Sequence, residues 1–270
     1  MHTSYHTHSR WSDGEGEIVD FVRAAEEIGL DEVGLSDHYV LSRDGAPVEW
    51  SMPVEVIDEY VEAVQSAAGK AGVSTIVRLG IEADFIPETS DRLRGILDSF
   101  PFDFVIGSVH FVDHYPVDSS RFWPTVAEEN RDRVIRAYWV RVREMAESGL
   151  FDIAAHLDIT KKYGAQPLAD MSDVIGNALD AIAESDMAVE LSTAGWYAPC
   201  KEAYPEPSII RGCFERGIPV VVTADAHSPA HLTRAFGRAG RLLRDLGCSE
   251  LASYAGRQRF VHALRPGEYE

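Results

Sequence analysis

Cysteine is scarce in this chain: three residues, Cys200, Cys213 and Cys248, among 270. None forms a CxxC pair, and an odd number cannot close completely into disulfides, so a disulfide scaffold is excluded and a reducing, cytoplasmic setting is expected. Positive charge is scarce as well. Lys and Arg total 25 against 44 Asp and Glu, a formal net charge of −19. A field of that sign repels nucleic acid and anionic membrane surfaces, so neither is expected as a partner. It also repels phosphate esters, so a small phosphate ester as substrate needs local cations, and bound metal ions are the simplest supply. No window approaches the roughly 18 uncharged apolar residues of a membrane span. The opening MHTSYHTH lacks the basic and apolar regions of a signal peptide. No glycine-rich phosphate fingerprint follows the first β-type run, which counts against a dinucleotide-binding open sheet.

What the chain does have is alternation. β-type runs are predicted at 3–8, 32–36, 75–82, 104–109, 153–156, 188–191 and 219–223. Amphipathic helical patterns lie between them, at 16–28, 53–68, 126–146, 172–184, 208–216 and 230–246. The first has Ile18, Phe21, Val22 and Ala25 at the spacing of one buried face. Ser172 is placed to cap the fourth, and Gly217 and Gly247 mark the ends of the last two. Strand–helix units repeated without a linker predict an α/β fold with a mainly parallel sheet, closed as one barrel over residues 1–270 rather than split into two domains. The long segments 40–53 and 112–124 are candidates to shape a substrate pocket.

The histidines and carboxylates fall on this frame in a pattern. His6 and His8 end the first run as HxH, and residues i and i+2 of a strand point to the same face. Asp13 follows in a turn. His38 comes at the end of the second run, Glu82 of the third, His110 of the fourth and His156 of the fifth. Asp225 and His227 follow the seventh, again at i and i+2. In a parallel barrel the C-terminal strand ends converge on one mouth. Imidazoles and carboxylates buried together need partners, and metal ions supply them. A His and carboxylate set without thiolate is of the catalytic kind. Nine ligands exceed what one tetrahedral ion uses, so two or three divalent ions are predicted. His2, His114, His231 and His262 stand outside the pattern.

The segments HTHSRWSDG from His6, LSDH from Leu35, GIEADF from Gly80, GSVHF from Gly107, AHLDITKKYG from Ala155 and TADAHS from Thr223 resemble the polymerase and histidinol phosphatase (PHP) family, in its order and over nearly the whole length. The resemblance implies a distorted seven-stranded (β/α) barrel, TIM-like, with a trinuclear centre at the C-terminal strand ends. His6, His8, Glu82 and Asp225 would hold one ion. Glu82 would bridge to a second, bound also by His110 and His156, and Asp13, His38 and His227 would hold the third. Zinc, manganese and iron all suit such sites. The length and the segments AHLDITKKYG and ELSTAGWYAP look most like the histidinol-phosphate phosphatases of the family. The resemblance therefore implies hydrolysis of L-histidinol phosphate, a step of histidine biosynthesis, with Glu82, Asp225 and His227 as catalytic side chains. A water shared by two cations would be lowered in pKa, and its hydroxide would attack phosphorus.

One departure stands out. Relatives with that activity carry an arginine where this chain has Tyr197. Arg10, Lys161 or Lys162 is expected to supply the positive group instead. With Trp196, Tyr197 also leaves open another phosphoesterase of the family, acting on nucleotides, sugar phosphates or cyclic diesters, since aromatic faces stack on rings. A non-catalytic metal-binding module is the remaining alternative. Oligomeric state is not legible.

Overall fold

The computed structural model of the protein describes residues 1–72 and 74–264, so the last residues of the expected 1–270 unit lie outside the described ones. Seven parallel strands form the sheet: β1 (Thr3–Ser4), β2 (Glu32–Leu35), β3 (Ile76–Asp84), β4 (Phe104–Ser108), β5 (Ile153–Ala154), β6 (Ala188–Ser192) and β7 (Val220–Thr223). Each pairs with the next in chain order. A two-residue strand, His38–Tyr39, joins beside β3, with His38 opposite Glu82. A parallel bridge between Thr7 and Ala226 brings the ends of β1 and β7 together. There the His8 N–H donates to the Ala226 carbonyl at 2.8 Å, and the Ala226 N–H donates to the His6 carbonyl at 3.0 Å. The result is a nearly closed, TIM-like barrel.

The outer ring comprises α1 (Ile18–Ile28), α2 (Ile57–Ala68), α3 (Ser90–Leu97), α4 (Glu128–Glu147), α5 (Ser172–Glu184), α6 (Pro207–Glu215) and α7 (Phe236–Asp245). α1 buries the stripe its spacing predicts, Ile18, Phe21, Val22 and Ala25. α3 was not expected: it buries only Leu93 and Leu97, too sparse a stripe to register as a period. Two helices are shorter than their patterns. Residues 54–56 form a 3₁₀ turn ahead of α2. Residues 229–231 form another, and Ala235 takes a left-handed φ of 61°, so 230–246 is not one helix. Nor does Ser172 cap α5. Met171 occupies that position, and the Asp170 carboxylate accepts the Ser172 N–H at 2.9 Å.

Strand alternation divides the core. Val105, Ala154, Val189, Val220 and Val222 pack outward with the helices. Tyr5, Phe104, Ile106, Ile153, Ala188 and Val221 form a separate buried cluster with Ala252 and Tyr254, as expected for inward positions. The last two residues belong to a hairpin of Glu250–Ala255 and Gln258–Ala263, also not expected. Its two turn residues, Gly256 and Arg257, have φ of 55° and 63°, the left-handed pair that matches strand twist. The hairpin covers the N-terminal end of the barrel. The Tyr254 N–H donates to the Tyr5 hydroxyl at 3.2 Å, and the Tyr254 hydroxyl donates to the Asp152 carbonyl at 3.0 Å.

Candidate metal centre

Two residues further along the inward face, the character changes. Glu82 follows Gly80 on β3, Glu190 follows Ala188 on β6, and His110 lies beyond Ile106 and Ser108 of β4. Glu82 is the hub. Its Oε2 lies 3.2 Å from His6 Nε2, 3.6 Å from His8 Nε2 and 2.5 Å from His38 Nδ1. Its Oε1 lies 3.0 Å from His156 Nε2 and 4.0 Å from His110 Nε2. Asp225 Oδ1 is 3.1 Å from His8 Nε2 and 3.8 Å from His6 Nε2. Asp13 Oδ1 is 3.3 Å from His227 Nε2 and 3.7 Å from His38 Nε2. All nine predicted ligand positions thus meet at one mouth.

Their grouping is finer than the family scheme. Donor atoms close enough to share an ion fall into four overlapping sets: His6, His8 and Asp225; His6, Glu82 and His156; His38, Glu82 and His110; and His8, Asp13, His38 and His227. His38, expected only beside Asp13 and His227, also touches Glu82, because the two are register neighbours.

The donors fit divalent cations on chemistry and on unmet need. They comprise six imidazoles and three carboxylates with no thiolate. His6 Nε2 and Glu82 Oε2 are buried and lie close to each other and to His38, yet neither makes a well-aligned hydrogen bond, a costly state unless something else satisfies them. Burial alone would raise the Glu82 pKa, but the charges of His38 and His6 hold it well below the carboxylate range. Burial likewise opposes ionisation of Asp225, and His6 and His8 hold its carboxyl well down. His8 is pushed well below its ordinary value by burial and by the neighbouring His38 and His227. Burial lowers His6 too, but Glu190 and Glu82 outweigh it and raise its pKa well above the ordinary value.

A second layer fixes these rings, and sequence reading missed most of it. Glu190, wholly buried, accepts from His6 Nδ1 at 2.8 Å, from the His156 backbone N–H at 2.5 Å and from the Thr223 hydroxyl at 3.0 Å. Asp84 lies 3.4 Å from His110 Nδ1 and accepts the His110 backbone N–H at 2.9 Å. Such carboxylates orient metal-binding imidazoles. Asp37 accepts from the Ser9 backbone and hydroxyl at 2.7 and 2.9 Å and from the Ser12 hydroxyl at 2.7 Å, pinning the loop that carries Asp13. That loop passes so close that a Cβ on Gly14 would lie 1.9 Å from the His8 carbonyl oxygen. The available signals were an isolated Glu within the apolar run AVELS, and Asp84 at i+2 from Glu82.

Over the centre lies a cavity of about 170 Å³ lined by Asp13, His38, Trp50, His110, Asp118, Ile159, Lys162, Asp225 and His227. Trp50 and Asp118 come from the two long segments expected to shape a pocket. Of the four expected substrate contacts only Lys162 lines it, with Nζ 3.1 Å from Asp118. Burial lowers its pKa and Asp118 more than restores it. Lys161, its neighbour, is turned away and paired with Asp158 at 2.8 Å and Glu202 at 3.2 Å. Arg10 is exposed and pairs with Glu17. Tyr197 is 53% exposed with the Arg234 guanidinium 4.2 Å over its ring, and Arg238 covers Trp196 at the same distance. Neither ring offers that face to a base.

The PHP domain family model matches residues 4–194. A Deinococcus radiodurans protein named "Probable histidinol-phosphatase" is 37% identical over 230 residues, covering 84% of this chain and 86% of its own length. The histidinol-phosphatase of Lactococcus lactis is 24% identical over 261 residues, covering 93% and 94%. The crystal structure of the Lactococcus lactis histidinol phosphate phosphatase with zinc, L-histidinol and phosphate superposes with a TM-score of 0.78 at 21% identity, covering 96% of this chain and 98% of that one. At that identity the likeness bears on the fold.

Proposed function

Because the chain belongs to the PHP family, we propose that it is a metal-dependent phosphatase that cleaves L-histidinol phosphate to L-histidinol and phosphate. The observation that carries this reading is the convergence of nine His, Asp and Glu side chains under a cavity lined by a lysine, Lys162. His6, His8, Asp13, His38, Glu82, His110, His156, Asp225 and His227 would hold two or three ions of zinc, manganese or iron. What divalent cations supply there, when bound, is a water of lowered pKa and a counter-charge for the phosphoryl oxygens. Glu82 stands where two groups of imidazoles meet. Asp225 and His227 border the cavity beside it, which supports giving these three side chains the catalytic roles. Lys162, held by Asp118, gives the incoming monoester a cation in an otherwise acidic chain. Trp50, edge-on to His38 and His110 at 4.7 and 5.2 Å, shields one side of the mouth from water. Free Cys200, Cys213 and Cys248 suit the cytoplasm, and no helix among the described residues is long and apolar enough to cross a membrane.

The test is phosphate release by the metal-replete protein from L-histidinol phosphate, nucleoside monophosphates, sugar phosphates and a cyclic diester. The expected outcome is a preference for histidinol phosphate of at least tenfold in kcat/KM. Equal or better turnover of another ester would overturn the substrate and leave the phosphatase; no turnover of any would favour the non-catalytic module.

A further inference from the structure

An anionic substrate entering a chain of net charge −19 needs cations that are not already committed. Of the cations expected to serve the substrate, Arg10 is paired with Glu17, Lys161 with Asp158 and Glu202, and Lys162 with Asp118. Arg234 differs. It lies on the loop after β7, seven residues beyond His227, and no carboxylate of the described residues pairs with it. Its backbone is tied to the upper ends of β6 and β7: the Thr193 hydroxyl donates to the Arg234 carbonyl at 2.7 Å, and the Thr193 N–H donates to the Thr223 carbonyl at 3.0 Å. Its Nε is buried and has no hydrogen-bond partner. The centre of its guanidinium lies 4.2 Å over the middle of the Tyr197 ring, a contact that uses the face of the group and not its N–H donors, which can make two parallel bonds to one anion.

We propose that Arg234, oriented by Tyr197, is the second phosphate-binding cation of this site, working with Lys162. It would take the place of a cation on the β6 loop itself, where this chain carries Tyr197. The inference rests on the phosphatase reading above and adds to it a specificity-determining residue. Capture would be shared between a cation that lines the cavity, Lys162, and one brought from the loop after β7, whose N-terminal part supplies Asp225 and His227 to the same cavity.

The test compares Arg234→Met, Arg234→Lys and Arg238→Met in the metal-replete protein. Arg238 provides the control because it covers Trp196 in the same way but is exposed. The readouts are KM and kcat for histidinol phosphate, the dissociation constant of inorganic phosphate by calorimetry, and metal content. Arg234→Met should raise both KM and the phosphate dissociation constant about tenfold or more, the scale of a hydrogen bond to a charged group. Metal content should be unchanged, kcat less affected than KM, and Arg234→Lys partly restored, because a point charge replaces a fork. Arg238→Met should match the wild type. Wild-type KM and phosphate affinity in Arg234→Met, or an equal loss in Arg238→Met, would overturn the proposal. If histidinol phosphate itself is not cleaved, the substrate reading fails separately, and the phosphate titration alone still decides on Arg234.

Discussion

The two ends of the barrel use the same inward-facing positions in opposite ways. At the N-terminal end, Glu32 is buried, but it accepts from the Tyr5 hydroxyl and from Arg78 Nη2 at 2.5 Å, and the hairpin closes over it. Its charge has partners. At the C-terminal end, Glu82 is equally buried among five imidazoles, and its Oε2 and His6 Nε2 lie close to ring nitrogens and each other without a well-aligned hydrogen bond. A buried carboxylate is therefore no marker of a site in itself. The informative difference is whether the protein satisfies the group alone or leaves the remainder to something it binds.

The contrast can be broken most severely at the upper end. His110→Ala should cost one bound ion and lower kcat by on the order of 10²–10³, comparable to removing one stabilising group from an active site, with the melting temperature of the chelated protein little changed. Metal analysis alongside steady-state kinetics checks it. Full turnover with unaltered metal content would remove His110 from the ligand set. At the lower end, Arg78→Met should do the reverse. Leaving Glu32 buried with only Tyr5 should cost about 3 kcal/mol of stability, seen as a lower urea midpoint, while kcat of the folded protein stays at the wild-type value. An unchanged midpoint would mean that Glu32 does not depend on Arg78.

The smallest effect concerns pH. Burial raises the Asp152 pKa above its ordinary 3.8, with Arg257 opposing. The folded state therefore keeps that proton to higher pH than the unfolded state does. Asp152 consequently lowers stability as pH climbs from about 3.8 to the raised folded value and has a constant effect beyond. Asp152→Asn should flatten that part of the curve of urea midpoint against pH, while leaving turnover unaltered. Parallel curves for the two proteins would contradict the assignment.

Much of the upper end was legible in the sequence because strand periodicity is strict. The seven β-type runs all correspond to strands, and HxH at 6 and 8 and DxH at 225 and 227 flank the bridge between Thr7 and Ala226 just beyond two of them, although the left-handed φ of 48° at Asp225 is not a strand conformation. What was not legible depended on turns and on contacts between distant segments. Lys161 and Lys162 are adjacent, and only the 3₁₀ turn of Ile159–Tyr163 decides which one faces the cavity. Glu190 sits in an apolar run where its partners, His6 and Thr223, come from strands far away in sequence. Arg234 lies within a pattern that read as a continuous helix, and the left-handed Ala235 that ends that reading has no signature of its own, since alanine normally favours helix.

The seam at Thr7 and Ala226 has a consequence for how the chain is made. The two backbone hydrogen bonds there interleave His6 and His8 with Asp225 and His227 across more than two hundred residues. During synthesis the first ligand pair is made more than two hundred residues before its partners. Contacts of such long range form late. His6 and His8 must wait for Asp225 and His227, so full cation capture follows the synthesis of β7, and a nascent chain halted before β7 has neither a closed barrel nor a complete ligand set.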